Sequence, residues 1–157
     1  DVKSSNILLT SNGEIKIGDF GLSKQLKSAT DRRKRHAGSL YWSAPEQLDV
    51  TPSYGTRADI WAAGIVLLEL ANRTLPHFGL DSTTVITNIR DGPAPELIRR
   101  DKWSSDFADF IGHMLQKNEE ERWNADVLLG HPFITSKQHV NSAECISQLL
   151  TNVHKRM

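Results

Sequence analysis

Cysteine is almost missing from this chain: among 157 residues there is one, Cys145. It cannot form an internal disulfide, which suits a reducing compartment and a cytoplasmic location. An excess of charge of either sign is missing too. Nineteen Lys and Arg balance nineteen Asp and Glu, for a formal net charge of zero. Global charge therefore gives no reason to expect nucleic acid or an anionic membrane as partner. The longest apolar run, Ile60 to Leu70, is interrupted by Glu69 and is too short for membrane insertion. No basic-then-apolar leader is visible at the start, so no secretory signal is expected. Internal repeats and low-complexity segments are also absent. What remains is a chain with 38% hydrophobic residues, enough for one core.

The most informative stretch is Asp1 to Gly21, DVKSSNILLTSNGEIKIGDFG. Ile7-Leu8-Leu9-Thr10 is an apolar run and Ile15-Lys16-Ile17 alternates, so each reads as a short strand. Ser11-Asn12-Gly13-Glu14 between them is a turn cluster in which Asn-Gly supplies positive φ. A tight hairpin then brings Asp1-Val-Lys3-Ser-Ser-Asn6 and Asp19-Phe20-Gly21 to the same side. A carboxylate, an ammonium, an amide and a second carboxylate converge at one edge. Phosphoryl transfer asks a protein for such a set, because its chemistry is mostly positioning and charge neutralisation.

Further along, residues 22 to 43 show no sustained period and carry the run Asp31-Arg32-Arg33-Lys34-Arg35-His36. A loop of this length is usually functional or disordered. The run reads as a solvated loop, or as a nuclear-targeting or partner-binding element. Thr56 to Arg73 reads as a helix with Thr56 as N-cap and Pro76 beyond its end. Ile60, Trp61, Ala62, Ala63, Ile65, Val66, Leu67, Leu68 and Leu70 occupy every side of it, so it should be central and buried. Asp59 on its first turn then lies at the edge of a core and needs partners, or else simply complements the helix dipole.

A short helix is expected over Asp81 to Asp91 with an Asp81-Ser82 cap, followed by a break at Gly92-Pro93-Ala94-Pro95. Ser104 to Lys117 is amphipathic, with Phe107, Phe110, Ile111, Met114 and Leu115 on one face. Asn124 to Leu129 is another short helix, ended by Gly130-His131-Pro132. His131 has no metal-binding partner at helical or turn spacing, and His113 reads as a helix-face residue. Arg122 reads on its own as a surface arginine in a charged loop. In the tail from Lys137 to Met157, Val140, Ala143, Ile146, Leu149, Leu150 and Val153 form a near-stripe, as in a packed or a partner-facing helix.

Five motifs stand in order: Asp1-x-Lys3-x-x-Asn6, Asp19-Phe20-Gly21, Ala44-Pro45-Glu46, Asp59-x-Trp61-x-x-Gly64 and Arg122. Together they resemble the eukaryotic protein kinases over residues 1 to about 134. Lys3, two after the first carboxylate, is the serine/threonine form. Gly38-Ser-Leu-Tyr-Trp42, Pro93-Ala-Pro95 with Lys102-Trp103-Ser104, and His131-Pro-Phe-Ile134 are similar to the germinal-centre branch of the sterile-twenty-like kinases.

The resemblance implies a mainly α fold with a small β-hairpin, the C-terminal lobe of a kinase. The small nucleotide-binding lobe and the start of the catalytic loop are not among these residues. Residues 1–134 would be the incomplete catalytic domain, with an activation segment over 19–46, and 135–157 a C-terminal helical extension. ATP and Mg2+ would be the cofactors, and proteins with Ser or Thr acceptors the substrates. Regulatory protein partners are also implied; nucleic acid is not.

In that reading Asp1 is the base for the substrate hydroxyl and Lys3 neutralises charge on the transferring phosphate. Asn6 and Asp19 ligate magnesium, and Leu8 packs under the adenine. Ser39 hydrogen-bonds the catalytic aspartate and lysine. Glu46 and Arg122 pair to clamp the activation segment, and Asp59 bonds the backbone of the catalytic loop.

Four positions depart from the family pattern: Leu40 replaces a proline, Ser43 a methionine, Arg35 the regulatory phosphothreonine, and Trp123 a proline. Ser28 and Thr30 become the expected phosphorylation sites, with Arg32, Arg33, Lys34 and Arg35 available to pair with phosphate. The 157 residues alone are expected to be inactive. The competing reading is a pseudokinase or truncated lobe that binds partners without catalysis.

Overall fold

A computed structural model describes residues 1–10, 12–28, 30–136, 141, 144–148 and 151. The expected hairpin forms: strands Ile7–Leu9 (β1) and Ile15–Ile17 (β2) pair antiparallel, with Ile7 opposite Ile17 and Leu9 opposite Ile15. Gly13 sits at φ +79°, supplying the left-handed turn residue that Asn-Gly promised. Thr10 N–H donates to the Glu14 carbonyl at 2.9 Å and closes the loop.

The other regular elements among the described residues are helical. Helices run over Arg57–Asn72 (α1), Ser82–Asp91 (α2), Ser105–Met114 (α3), Ala125–Leu129 (α4) and Pro132–Thr135 (α5). Short 3-10 turns at Leu40–Trp42 and Pro45–Gln47 lead into α1. Three of the caps are those the sequence suggests. Asp81 accepts from Thr83 and Thr84 N–H, Ser104 from Phe107 N–H, and Asn124 from Val127 N–H. Thr56 departs from expectation: it precedes α1, but its own backbone is already helical and its side chain makes no capping bond. The far end of α1 closes on Arg73 in the left-handed conformation, φ +58°.

Helix α1 is the centre. Trp61, Ile65 and Leu68 pack with Val85 and Ile89 of α2 and with Phe107, Ile111 and Leu115 of and just after α3. Ile60, Ala63 and Leu67 lean on a second cluster of Phe110, Met114 and Leu128. Gly64 makes the close approach possible. A Cβ there would lie 2.8 Å from Leu115 Cδ2 and 3.1 Å from Met114 Cβ.

Helix α1 is as buried as its all-round apolar pattern implied. On that helix Leu70 stands out, 67% exposed, while the other apolar positions are buried or half-buried. Off α1, one group of exposed apolar side chains lies on the hairpin and just after it, Leu8, Leu9, Ile15, Ile17, Phe20 and Leu22, while others such as Val50, Phe78, Ile98 and Leu129 stand apart along the chain. In the tail, Ile146 is buried. Val140, Ala143, Leu149, Leu150 and Val153 lie outside the described residues.

Candidate active site

The hairpin and the segment before α1 meet at Asp1. Its side chain is 7% exposed and each carboxylate oxygen has a donor. Lys3 Nζ donates to Asp1 Oδ2 at 2.6 Å, and Ser39 N–H to Asp1 Oδ1 at 2.6 Å. The same ammonium reaches Ser39 Oγ at 2.8 Å. Ser39 thus touches both partners as expected, but serves the aspartate through its amide and the lysine through its hydroxyl. Gly38, at φ +125°, permits this contact, because a Cβ there would come within 3.3 Å of Asp1 Oδ1.

Asn6 is buried in the 3-10 turn that leads into β1. Its Nδ2 donates to the Asp1 carbonyl at 2.9 Å, which fixes the amide orientation, since a carbonyl can only accept. Among the described residues, Asn6 Oδ1 has no hydrogen-bond donor. The Asn6 backbone carbonyl accepts from Gly18 N–H at 2.8 Å, tying the turn to the residue before Asp19. Asp19 is exposed, in the left-handed region at φ +56°, and its Oδ1 accepts from Gly21 N–H at 3.2 Å. This geometry holds the carboxylate at a fixed position on a tight turn; Asp tolerates left-handed backbone better than most residues. Asp1, Asp19, Phe20 and Asp59 line one crevice of about 620 Å³.

Oxygen donors from one amide and one carboxylate, Asn6 and Asp19, fit a hard cation such as Mg2+, which takes few protein ligands and shares the rest with water and phosphate. Leu8 is 53% exposed on β1, with its Cδ1 only 3.0 Å from where a Cβ on Gly18 would stand. Asp59 N–H donates to the Thr56 carbonyl at 3.1 Å, but among the described residues its carboxylate accepts no hydrogen bond, so the expected bond to the backbone of the catalytic loop is not formed. Its side chain edges the crevice shared with Asp1, and desolvation there raises its carboxyl above the usual range.

The clamp expected between Glu46 and Arg122 is present. Arg122 Nη1 and Nη2 donate to the two Glu46 oxygens at 2.6 and 3.0 Å. Its Nε donates to the Gln116 carbonyl and its Nη1 also to the Arg57 carbonyl, each at 3.0 Å. The guanidinium lies 5.1 Å from the Trp61 ring centroid and its side chain is 0% exposed. A reading as a surface arginine therefore fails here: the chain after α3 buries it.

Sequence reasoning missed a second clamp. Arg32 forms a fork on Glu119, at 3.0 and 2.5 Å, and also bonds Ser53. Arg57 Nη1 donates to the Glu119 carbonyl at 2.8 Å. Arg33 bridges Tyr54 through the backbone in both directions and donates its Nη1 to the Leu22 carbonyl at 2.7 Å. Two of the four basic residues expected to receive a phosphate at Ser28 or Thr30 are thus already engaged, which leaves Lys34 and Arg35. Partners some 20 and 90 positions away leave no local signal in the run itself.

His131 is likewise not isolated. It is buried, and its Nε2 lies 3.1 Å from Asp109 Oδ2, while His113 Nε2 lies 3.5 Å from the same oxygen. The His131 hydrogen bond is the first cause of a lowered Asp109 carboxyl pKa. The spacing of four between Asp109 and His113 on α3 was the available signal.

Known proteins are similar to this chain over most of its length. Residues 1–134 match the protein kinase domain family. The serine/threonine-protein kinase sid1 of Schizosaccharomyces pombe is 42% identical over 137 residues, covering 87% of this chain and 28% of the relative. Serine/threonine-protein kinase 10 of Danio rerio is 41% identical over 140 residues, 87% of this chain and 14% of the relative. Myosin-IIIb of Mus musculus is 37% identical over 157 residues, 98% of this chain and 12% of the relative. The chain thus spans roughly a quarter or less of the length of these relatives. With the family match running from Asp1 through the Arg122 clamp to Ile134, the chain belongs to the protein kinase family.

Proposed function

We propose that this chain carries the catalytic and metal-binding loops of a serine/threonine protein kinase that moves the γ-phosphoryl group of ATP to Ser or Thr hydroxyls of proteins. The carrying observation is the triangle of Asp1, Lys3 and Ser39, with contacts of 2.6, 2.8 and 2.6 Å. Asp1 accepts the proton of the acceptor hydroxyl. The Ser39 amide and the Lys3 ammonium hold its carboxylate in one orientation. Lys3 also sets a positive charge beside the oxygen that attacks. Asn6 and Asp19 would hold Mg2+, and Leu8 would lie against the adenine. When bound, ATP–Mg2+ supplies the phosphoryl group and the charge neutralisation.

Residues 1–134 form the C-terminal part of the catalytic domain in this reading, and 135–157 an extension. The Arg32–Glu119 and Glu46–Arg122 pairs would tie the middle and the C-terminal end of the activation segment to the loop after α3, and Arg122 also reaches the Arg57 carbonyl of α1. The names of the relatives support Ser/Thr specificity, and the motif details support the germinal-centre branch. A cytoplasmic location is supported by the single cysteine, exposed and free, which suits a reducing compartment.

The test is phosphoryl transfer by the full-length protein to peptides that differ only in a Ser, Thr or Tyr acceptor. Label on Ser and Thr but not Tyr is expected, with a loss of about 100-fold or more for Lys3→Met. Transfer to Tyr, or wild-type transfer from Lys3→Met, would overturn the reading. A second reading, partner binding without catalysis, draws on the exposed hairpin groups Leu8, Leu9, Ile15, Ile17 and Phe20. It predicts no transfer to any acceptor.

A further inference from the structure

On the side of the molecule formed by α3 and α5, two imidazoles aim at one carboxylate oxygen. His113 Nε2 and His131 Nε2 approach Asp109 Oδ2 at 3.5 and 3.1 Å. The three ligand atoms all lie within 4.8 Å of one another. We propose that Asp109, His113 and His131 form a binding site for a divalent transition ion of the Zn2+ type.

The chemistry of the set argues for that class. Imidazole nitrogens with one carboxylate suit Zn2+ and exclude the hard ions, which take oxygen cages. Zn2+ sits about 2.0–2.2 Å from N and O ligands, so two ligands on a tetrahedral ion stand roughly 3.3 Å apart. The two distances to Asp109 bracket that value; the two nitrogens must draw together to complete it. Spacing of four on one helix turns Asp109 and His113 to the same face, the arrangement by which a single helix supplies two metal ligands. His131 comes from the start of α5 and closes the set across the gap.

The rings are held for the purpose. His113 stacks on Trp123 with centroids 3.6 Å apart and planes 13° apart. His131 stands edge-on to Phe110 at 5.2 Å and is almost wholly buried. Asp109, by contrast, has a side chain 64% exposed, so water can fill the remaining coordination positions. Trp123, whose presence the kinase reading left as an unexplained departure, here acts as the wall that orients His113.

Metal binding has a stated structural consequence. Without metal, Phe133 N–H donates to His131 Nδ1 at 3.0 Å, so the ring proton sits on Nε2 and points to Asp109. An ion on Nε2 displaces that proton. The neutral ring then carries its proton on Nδ1, and the Phe133 contact must open. The cost is one capping hydrogen bond on a four-residue helix, small beside a metal–ligand set.

The experiment uses the full-length protein, freed of metal by chelation and without nucleotide. Co2+ is titrated while its visible absorption is followed, and Zn2+ is then added in competition. His113→Gln and Asp109→Asn are compared with wild type; both positions are partly exposed, and folding is checked by circular dichroism. Expected are tetrahedral Co2+ bands in wild type, erased by Zn2+, with affinity lowered more than about 10-fold in each variant. Nitrogen NMR of the His131 ring should show the proton moving from Nε2 to Nδ1 on Zn2+ addition. Bands of equal strength in wild type and both variants would overturn the site. So would a His131 Nε2 that keeps its proton at saturating Zn2+, which would leave the cluster as a hydrogen-bonded brace only.

Discussion

Replacing Glu46 with Gln keeps the side-chain shape but removes the charge opposite Arg122. The Arg122 side chain is fully buried and makes four hydrogen bonds, two to Glu46 and two to backbone carbonyls. Glu46→Gln therefore strands a guanidinium that has no water to replace the lost charge. Breaking a buried pair from one side costs about 3–5 kcal/mol, and Gln retains one acceptor, so the low end, about 3 kcal/mol, is expected. At about 2–4 °C per kcal/mol for a domain of this size, the melting temperature should fall by roughly 6–12 °C.

Arg122→Met should cost about 3–5 kcal/mol, because it also leaves the Gln116 and Arg57 carbonyls without their donor. In the double variant Glu46→Gln should cost almost nothing further. The cycle, measured by thermal and urea unfolding of the four proteins, should give a coupling of about 3 kcal/mol. Coupling below about 1 kcal/mol, as for a surface pair, would refute the claim that this contact clamps the activation segment.

Other expectations follow from neighbouring geometry. Gly64→Ala should destabilise by about 1–3 kcal/mol, since its Cβ would meet Leu115 Cδ2 at 2.8 Å; an unchanged melt would show that α1 and α3 can separate cheaply. His36 and His77 both have pKa values lowered from 6.5 by burial, so the unfolded chain takes up protons first as pH falls. Stability should drop as pH falls through 6.5, and melts of His36→Gln with His77→Gln should lose part of that dependence. Arg35→Thr in the full-length protein should create a phosphorylation-dependent gain in activity, whereas Ser28→Ala with Thr30→Ala should lower it; the opposite pattern in mass-spectrometric and rate measurements would remove the charge argument for this loop.

The hairpin, the helices and three of the caps were legible because their signals are local. Asn-Gly sets a turn, and Asp81, Ser104 and Asn124 precede apolar periods. The clamp by Arg122 was legible only through the motif it shares with Glu46, since neither residue's neighbours announce burial. Arg32 and Glu119 lie so far apart in sequence that only the fold could bring them together. His131 looked solitary because its partners stand on α3, although Asp109 and His113 were already visible as an i, i+4 pair. Which elements cover α1 was not legible, for a different reason. Periodicity reports which side chains are apolar, not which neighbours cover them, and it is α3 and the 3-10 turn at Leu40–Trp42 that lie against α1.

The central claim is that Asp1 serves the acceptor hydroxyl while Asp19 serves the metal–nucleotide complex. Single-turnover phosphoryl transfer and magnesium-dependent ATP affinity, measured on the full-length protein for wild type, Asp1→Asn and Asp19→Asn, separate the two roles. Asp1→Asn should abolish transfer and leave ATP affinity near wild type, while Asp19→Asn should lose both. Equal loss of ATP affinity in the two variants, or retained transfer in Asp1→Asn, would contradict the account.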